Sequence, residues 1–258
     1  MNESFIEIRG AKLRLRRAGK GAPLLFLHAV QGMPAWPPSL ERLAEQFDVL
    51  APDHPGFGLS DAPDWIDDVG DLSFFYLDLL EALDLQSVHL VGASLGGWIA
   101  LEMAIRSTAR IKSLTLAGAA GIRVEGVARG DMFIGTPAEL SKLLYADERV
   151  ATNWAAQWQA TPALQEMYDR NRHAAAKYTW QPRLHNPKLA KWLHRIDVPT
   201  HIIWGESDRL IPPAHAVALK GMIAGAQVTM LPGGHLLPIE QPDLFADTVS
   251  HFIARLRP

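Results

Sequence analysis

The sequence predicts an α/β protein: a mostly parallel, doubly wound sheet interrupted once by an inserted helical lid. Three observations lead there. Short continuous apolar runs, of the kind that strands covered on both faces require, alternate with stretches of helical apolar spacing up to residue 120 and again after residue 200. One of these units, Val88-His89-Leu90-Val91-Gly92-Ala93-Ser94-Leu95-Gly96-Gly97-Trp98, passes from apolar run to helix through a turn of small residues. Between about residues 122 and 186 the rhythm breaks, with helical patches at 137–144, 149–158 and 164–177 and no strand pattern. The expected organisation is therefore a core of residues 1–121, a lid of 122–186, and the rest of the core at 187–258.

The elements follow in order. Phe5-Ile6-Glu7-Ile8 and Leu13-Arg14-Leu15-Arg16 alternate like half-buried strands around Gly10 and predict an antiparallel hairpin at a sheet edge. Pro23 to His28 and Val49 to Pro52 are buried strands, separated by a loop and a helix expected at 39–47. Residues 72–83 predict a helix, and Ile111 to Ala117 another strand. Beyond the insertion, residues 200–205 and 227–231 are strands, and 214–222 and 244–256 are helices.

Composition excludes several functions. A chain of 258 residues without cysteine has no disulfide, thiolate metal site or thiol nucleophile. A net charge of -3 without a basic stretch gives nucleic acid or an anionic membrane nothing to grip. Met1-Asn2-Glu3-Ser4-Phe5 has neither a basic nor an apolar leader pattern, and no apolar run reaches spanning length. The expectation is a cytoplasmic monomer or homodimer acting on a small molecule.

The turn Gly92-x-Ser94-x-Gly96 carries the chemistry. A serine on a sharp strand-to-helix turn projects from the sheet's carboxyl edge, and the helix start behind it offers unpaired N–H groups to a developing anion. The pentapeptide is a weak signal in a chain with 20 glycines, so the rest of the apparatus must also be found. A serine nucleophile needs a base, and the base an orienting acid. His235, in the loop Leu231-Pro232-Gly233-Gly234-His235 after the last strand, is the candidate base. Asp208, after the strand ending in Gly205, is the candidate acid, with Glu206 its local competitor. Asp208 is preferred because the stretch from Ala117 to Gly121, after the preceding strand, has no carboxylate. The backbone N–H groups of Leu95 and Val30 are the candidate oxyanion donors. No histidine pair has metal-ligand spacing, and neither metal nor cofactor is required.

These stretches resemble the α/β-hydrolase superfamily, in its lidded branch of esterases, carbon–carbon bond hydrolases, epoxide hydrolases and dehalogenases. The likeness rests on Leu27-His28, the run from Pro52 to Asp61, Gly92 to Gly97, Trp204 to Asp208, and Gly234-His235, with Ala29 where many relatives carry glycine. It implies the triad order Ser94, Asp208, His235 and a structural rather than catalytic Asp53. Serine in place of the aspartate nucleophile excludes the epoxide hydrolase and dehalogenase branches. The likeness of residues 184–205 to carbon–carbon hydrolases, which bind acidic substrates, makes Arg170, Arg172 and Arg183 candidate substrate contacts. Loop residues His28 and Ala29 and lid residues Trp154, Trp158 and Trp180 join them. The leading expectation is a serine hydrolase of a small to medium, largely apolar carboxylic ester. The alternatives are carbon–carbon cleavage of a vinylogous diketone acid and a non-catalytic ligand-binding member of the fold.

Overall fold

The computed structural model describes residues 1–256. Strands β1 (Asn2–Ile8), β2 (Ala11–Ala18), β3 (Ala22–Leu27), β4 (Phe47–Pro52), β5 (Val88–Ala93), β6 (Ile111–Ala117), β7 (Thr200–Gly205) and β8 (Gln227–Leu231) form one sheet in the order β1-β2-β4-β3-β5-β6-β7-β8. The pairs β1–β2 and β2–β4 are antiparallel and all the others parallel.

The continuous apolar runs are explained by burial on both faces. In β3, Leu25 and Leu27 enter one core while Leu24 and Phe26 enter another, as a period of two demands. The first core also takes Leu72, Phe75 and Leu79 of α2 (Val69–Ala82) and Ile99, Leu101 and Met103 of α3 (Leu95–Arg106). The second takes Leu40 and Leu43 of α1 (Pro38–Leu43) and Phe245, Val249 and Phe252 of a closing C-terminal helix. The chain steps outward from β3 to β4 and then returns to β5 on the other side of β3. The loops after β3 and β5 thus diverge to opposite faces, which opens a crevice at the carboxyl edge between them.

Between β6 and β7 lie α4 (Pro137–Leu144), α5 (Glu148–Gln159) and α6 (Pro162–Thr179), with no strand among the described residues there. The start of α4 is written in four residues: Thr136 accepts from the Glu139 N–H, Glu139 reaches back to the Thr136 N–H, and Pro137 occupies the first turn. The two ends of this insertion leave the core side by side. The Gly121 N–H donates to the Leu184 carbonyl at 3.1 Å, and the Asn186 N–H donates to the Gly121 carbonyl at 2.9 Å.

The helix expected at 39–47 is shorter. The N–H groups of Ala44, Glu45 and Gln46 turn back onto Leu40, Arg42 and Leu43, and Phe47 instead opens β4, paired with Ala22 of β3. A 3-10 turn at Ala190–Arg195 and α8 (Leu237–Glu240) are too short to leave a periodic signal in the sequence. After α8 come α9 (Pro242–Ala254) and the end of the described chain, while α7 (Ala214–Met222) joins β7 to β8.

Candidate active site

Ser94 stands between β5 and α3 with φ 52° and ψ -111°, a conformation that side chains other than glycine seldom adopt. Its neighbours explain how the turn closes. A Cβ on Gly92 would lie 2.3 Å from the Gly96 carbonyl oxygen, and one on Gly96 would lie 2.0 Å from that of Leu27. Strain at such a residue costs about 1–3 kcal/mol. Leu95, Trp98 and Ile99 are buried just behind it. Each contributes about 1.5–3 kcal/mol by leaving water, so the strain is easily carried.

The start of α3 is stitched to the loop after β3 by the Gly96 N–H, which donates to the His28 carbonyl at 3.0 Å. Leu95 and Val30 therefore flank one junction, and both are buried. A chain of neutral groups holds that junction from behind. The Tyr76 hydroxyl donates to Nδ1 of His54, whose Nε2–H donates to the His28 carbonyl; the His54 N–H donates to Nε2 of His28, and the Nδ1–H of His28 donates to the Ala29 carbonyl. The carbonyl acceptors fix both tautomers. Burial, which disfavours the imidazolium, lowers the His28 pKa to about 3 and that of His54 well below its usual value. Both ring nitrogens of His28 are engaged by the backbone and brace the loop that carries Val30, while the ring itself lines a cavity.

Asp208 and His235 come together beyond the ends of β7 and β8. His235 Nδ1 donates to Asp208 Oδ2 at 2.7 Å, and both side chains are fully buried. The other carboxylate oxygen accepts from the N–H groups of Leu210 and Ile211, at 3.0 and 2.8 Å. The acid is thereby oriented, the imidazole is fixed with its proton on Nδ1, and Nε2 is left as a buried acceptor with no partner. Glu206, the competitor, is exposed.

Two cavities adjoin this edge. The larger, about 220 Å³, is lined by His28, Ala29, Met33, Ala93, Tyr145, Trp154, Trp158 and Leu236 among others, with no charged side chain. A narrow one of about 20 Å³, room for one water, is lined by Val30, Leu140, Leu210, Tyr168, Asn171 and Arg172. Gln31 and Trp154 line both and so separate them.

Of the expected substrate contacts, His28, Ala29, Trp154, Trp158 and Arg172 line these cavities. Three others do not. Arg170 is exposed and donates to the Ser60 carbonyl, Arg183 pairs with Asp131, and Trp180 is 48% exposed with the Arg183 guanidinium over its ring. Helical spacing cannot tell which of several arginines of the insertion lines a cavity.

Several residues around the site had no reading in the sequence. Buried Arg16 donates to Asp53 Oδ1 at 2.8 Å and to the Met33 carbonyl, which makes Asp53 a structural anchor. Asn171, on α6, donates to the Gln31 carbonyl at 2.8 Å and accepts from the Gly58 N–H at 2.9 Å. Tyr178 donates to the Pro55 carbonyl. Glu240 accepts from three backbone N–H groups. All but the Gly234–Glu240 bond join segments far apart in the chain, so no local pattern signals them.

Residues 24–248 match the family described as the Alpha/beta hydrolase family, and the chain belongs to it as a hydrolase. It is 30% identical over 268 residues to a 2-hydroxymuconate semialdehyde hydrolase from Pseudomonas sp. (strain CF600), covering 95% of this chain and 91% of that one. It is 28% identical over 263 residues to a 2-hydroxy-6-oxo-2,4-heptadienoate hydrolase from Pseudomonas putida, covering 95% and 94%. The solved structure of a serine hydrolase involved in carbazole degradation superposes with a TM-score of 0.78 at 23% identity, over 98% of each chain, a likeness of fold. Among the described residues no helix is long and apolar enough to cross a membrane.

Proposed function

We propose that this chain is a serine hydrolase that cleaves a carbon–carbon bond in a vinylogous diketone acid, with Ser94 as nucleophile, His235 as base and Asp208 as the orienting acid. The choice of substrate is carried by the near full-length similarity to hydrolases named for semialdehyde and oxo-dienoate substrates. It replaces the simple ester as the leading reading. Arg172, the one candidate arginine that lines a cavity beside Val30, supports an acidic substrate. Residues 122–186 act as the lid: α5 lines both cavities, and α4 and α6 line the narrow one.

The steps follow from the groups. Ser94 Oγ adds to the ketone carbon while His235 Nε2 takes its proton, and the oxyanion meets the N–H groups of Leu95 and Val30. The carbon–carbon bond then breaks, its electron pair passing into the dienolate of the leaving fragment, which takes the proton back from His235. Water deprotonated by His235 attacks the acyl-serine and releases the second acid. The Asp208 carboxylate holds the imidazole tautomer and stabilises the imidazolium.

The apolar lining of the 220 Å³ cavity favours a second reading, an ester of a medium-length acyl chain. One plate separates the two: a p-nitrophenyl ester series from acetate to decanoate beside a ring-cleavage dienol acid, with Ser94→Ala as control. Faster turnover of the dienol acid is expected, with a loss of at least about 10⁴-fold in Ser94→Ala. Arg172→Leu should raise KM for the acid by about 10- to 100-fold, the worth of a charged hydrogen bond, and leave uncharged esters unchanged. Fast ester turnover with a chain-length optimum and slow dienol cleavage makes the protein an esterase.

A further inference from the structure

Glu240 is a buried carboxylate without an ion-pair partner among the described residues. A buried charge is costly unless hydrogen bonds compensate it. Here the compensation is three backbone donors from two different parts of the molecule. Oε1 accepts from the N–H groups of Ala146 and Asp147, at 2.7 and 2.6 Å, in the hinge between α4 and α5. Oε2 accepts from the N–H of Gly234, the residue before His235, at 2.5 Å.

A second set of bonds runs across the same seam. The N–H groups of His235 and Leu236 both donate to the carbonyl of Leu144, the last residue of α4. The other side of the histidine loop is closed by sterics, since a Cβ on Gly205 would lie 1.9 Å from the Gly234 oxygen. The loop is therefore gripped between the end of β7 and the α4–α5 hinge, and the side chain of Glu240 is the link that touches both.

We propose that Glu240 is a positioning residue for His235: it makes the α4–α5 hinge of the insertion part of the frame that holds the base. This rests on the reading of His235 as the base. A carboxylate suits the task because one oxygen can serve the hinge while the other serves the histidine loop, both as acceptors. Glutamine cannot do this. With its carbonyl oxygen on Ala146 and Asp147, its NH₂ faces the Gly234 N–H, donor against donor. Glu240→Gln thus keeps the hinge fastened and releases the histidine loop.

The test compares native protein and Glu240→Gln by steady-state kinetics and by the rate of fluorophosphonate labelling at Ser94, both well below the melting temperature. The expected result is a fall in kcat of at least about tenfold, as a displaced catalytic group gives, with KM held within about twofold and labelling slowed in parallel. Should Glu240→Gln not accumulate folded, Glu240→Asp serves in its place, since it keeps the charge but is one methylene too short to span both sides. Native kcat and labelling rate in the variant, whatever its melting temperature, overturn the proposal and leave the serine hydrolase standing. Native protein that never labels at Ser94 overturns both.

Discussion

The sheet's carboxyl edge and the helical insertion above it are held by different kinds of bond. At the edge, Ser94 is set by backbone torsion and by the absence of space around Gly92 and Gly96, and its N–H donates to the Ala117 carbonyl of the next strand. The insertion is fastened by side chains reaching for distant backbone: Asn171 to Gln31 and Gly58, Tyr178 to Pro55, Glu240 to Ala146 and Gly234. The edge is rigid because removing any part of it means moving a strand. Apart from the backbone bonds made by Leu144, Gly130 and Gly121, the insertion's fastenings are single side chains, which leaves it adjustable. On the proposed function, chemistry is placed where the fold cannot vary, and substrate choice where it can.

This contrast is broken most sharply at Asp208. Its Oδ1 must keep the N–H groups of Leu210 and Ile211, so in Asp208→Asn the amide NH₂ faces His235 and forces the proton onto Nε2. Turnover should fall by about 10⁴-fold with little change in melting temperature. Activity above a tenth of native would move the acid elsewhere.

Acid should loosen the edge next. His28 stays neutral down to about 3 in the native fold, His54 is held well below its usual value, and His89 and His201 are lowered to about 4 by burial. The unfolded chain takes up these protons from about pH 6.5. Stability is therefore complete above that pH and is lost as the pH falls towards 3, at about 1.4 kcal/mol per unit for each such histidine. Urea midpoints that stay level between pH 7 and 5 would contradict it.

A smaller effect belongs to the insertion. Asn171→Ala leaves the Gln31 carbonyl and the Gly58 N–H unpaired, at about 1–3 kcal/mol each. It should lower both the melting temperature and kcat, because Gln31 adjoins Val30. An unchanged kcat in a destabilised variant would separate the insertion from the oxyanion loop. Glu206→Gln should be the smallest of all, within about 0.5 kcal/mol of native stability and at native turnover.

How far these parts could be read from the sequence follows the same division. β3, β5 and β7 announce themselves as apolar runs, and Ser94 and Asp208 each follow such a run within a few residues, while His235 follows the mixed strand β8. Their order along the chain is their order across the sheet. The Thr136 to Glu139 signature gives the start of α4 for the same local reason. What could not be read is long-range: that His28 spends both nitrogens on backbone, that Arg16 meets Asp53, that Arg172 rather than Arg170 or Arg183 lines the cavity beside Val30. A residue's type fixes what it can bond, while the fold decides which distant group it finds.

The junction at Gly121 has a consequence for engineering. Because the chain departs from the core and rejoins it through paired backbone at Gly121, Leu184 and Asn186, the intervening residues form a cassette with adjacent ends. Closing a loop of different length between two adjacent points adds little entropy, about 0.6 kcal/mol per doubling. A segment from another family member can be spliced there without re-registering a strand. The graft must bring its own acceptor for the His235 and Leu236 N–H groups and a hinge that Glu240 can hold.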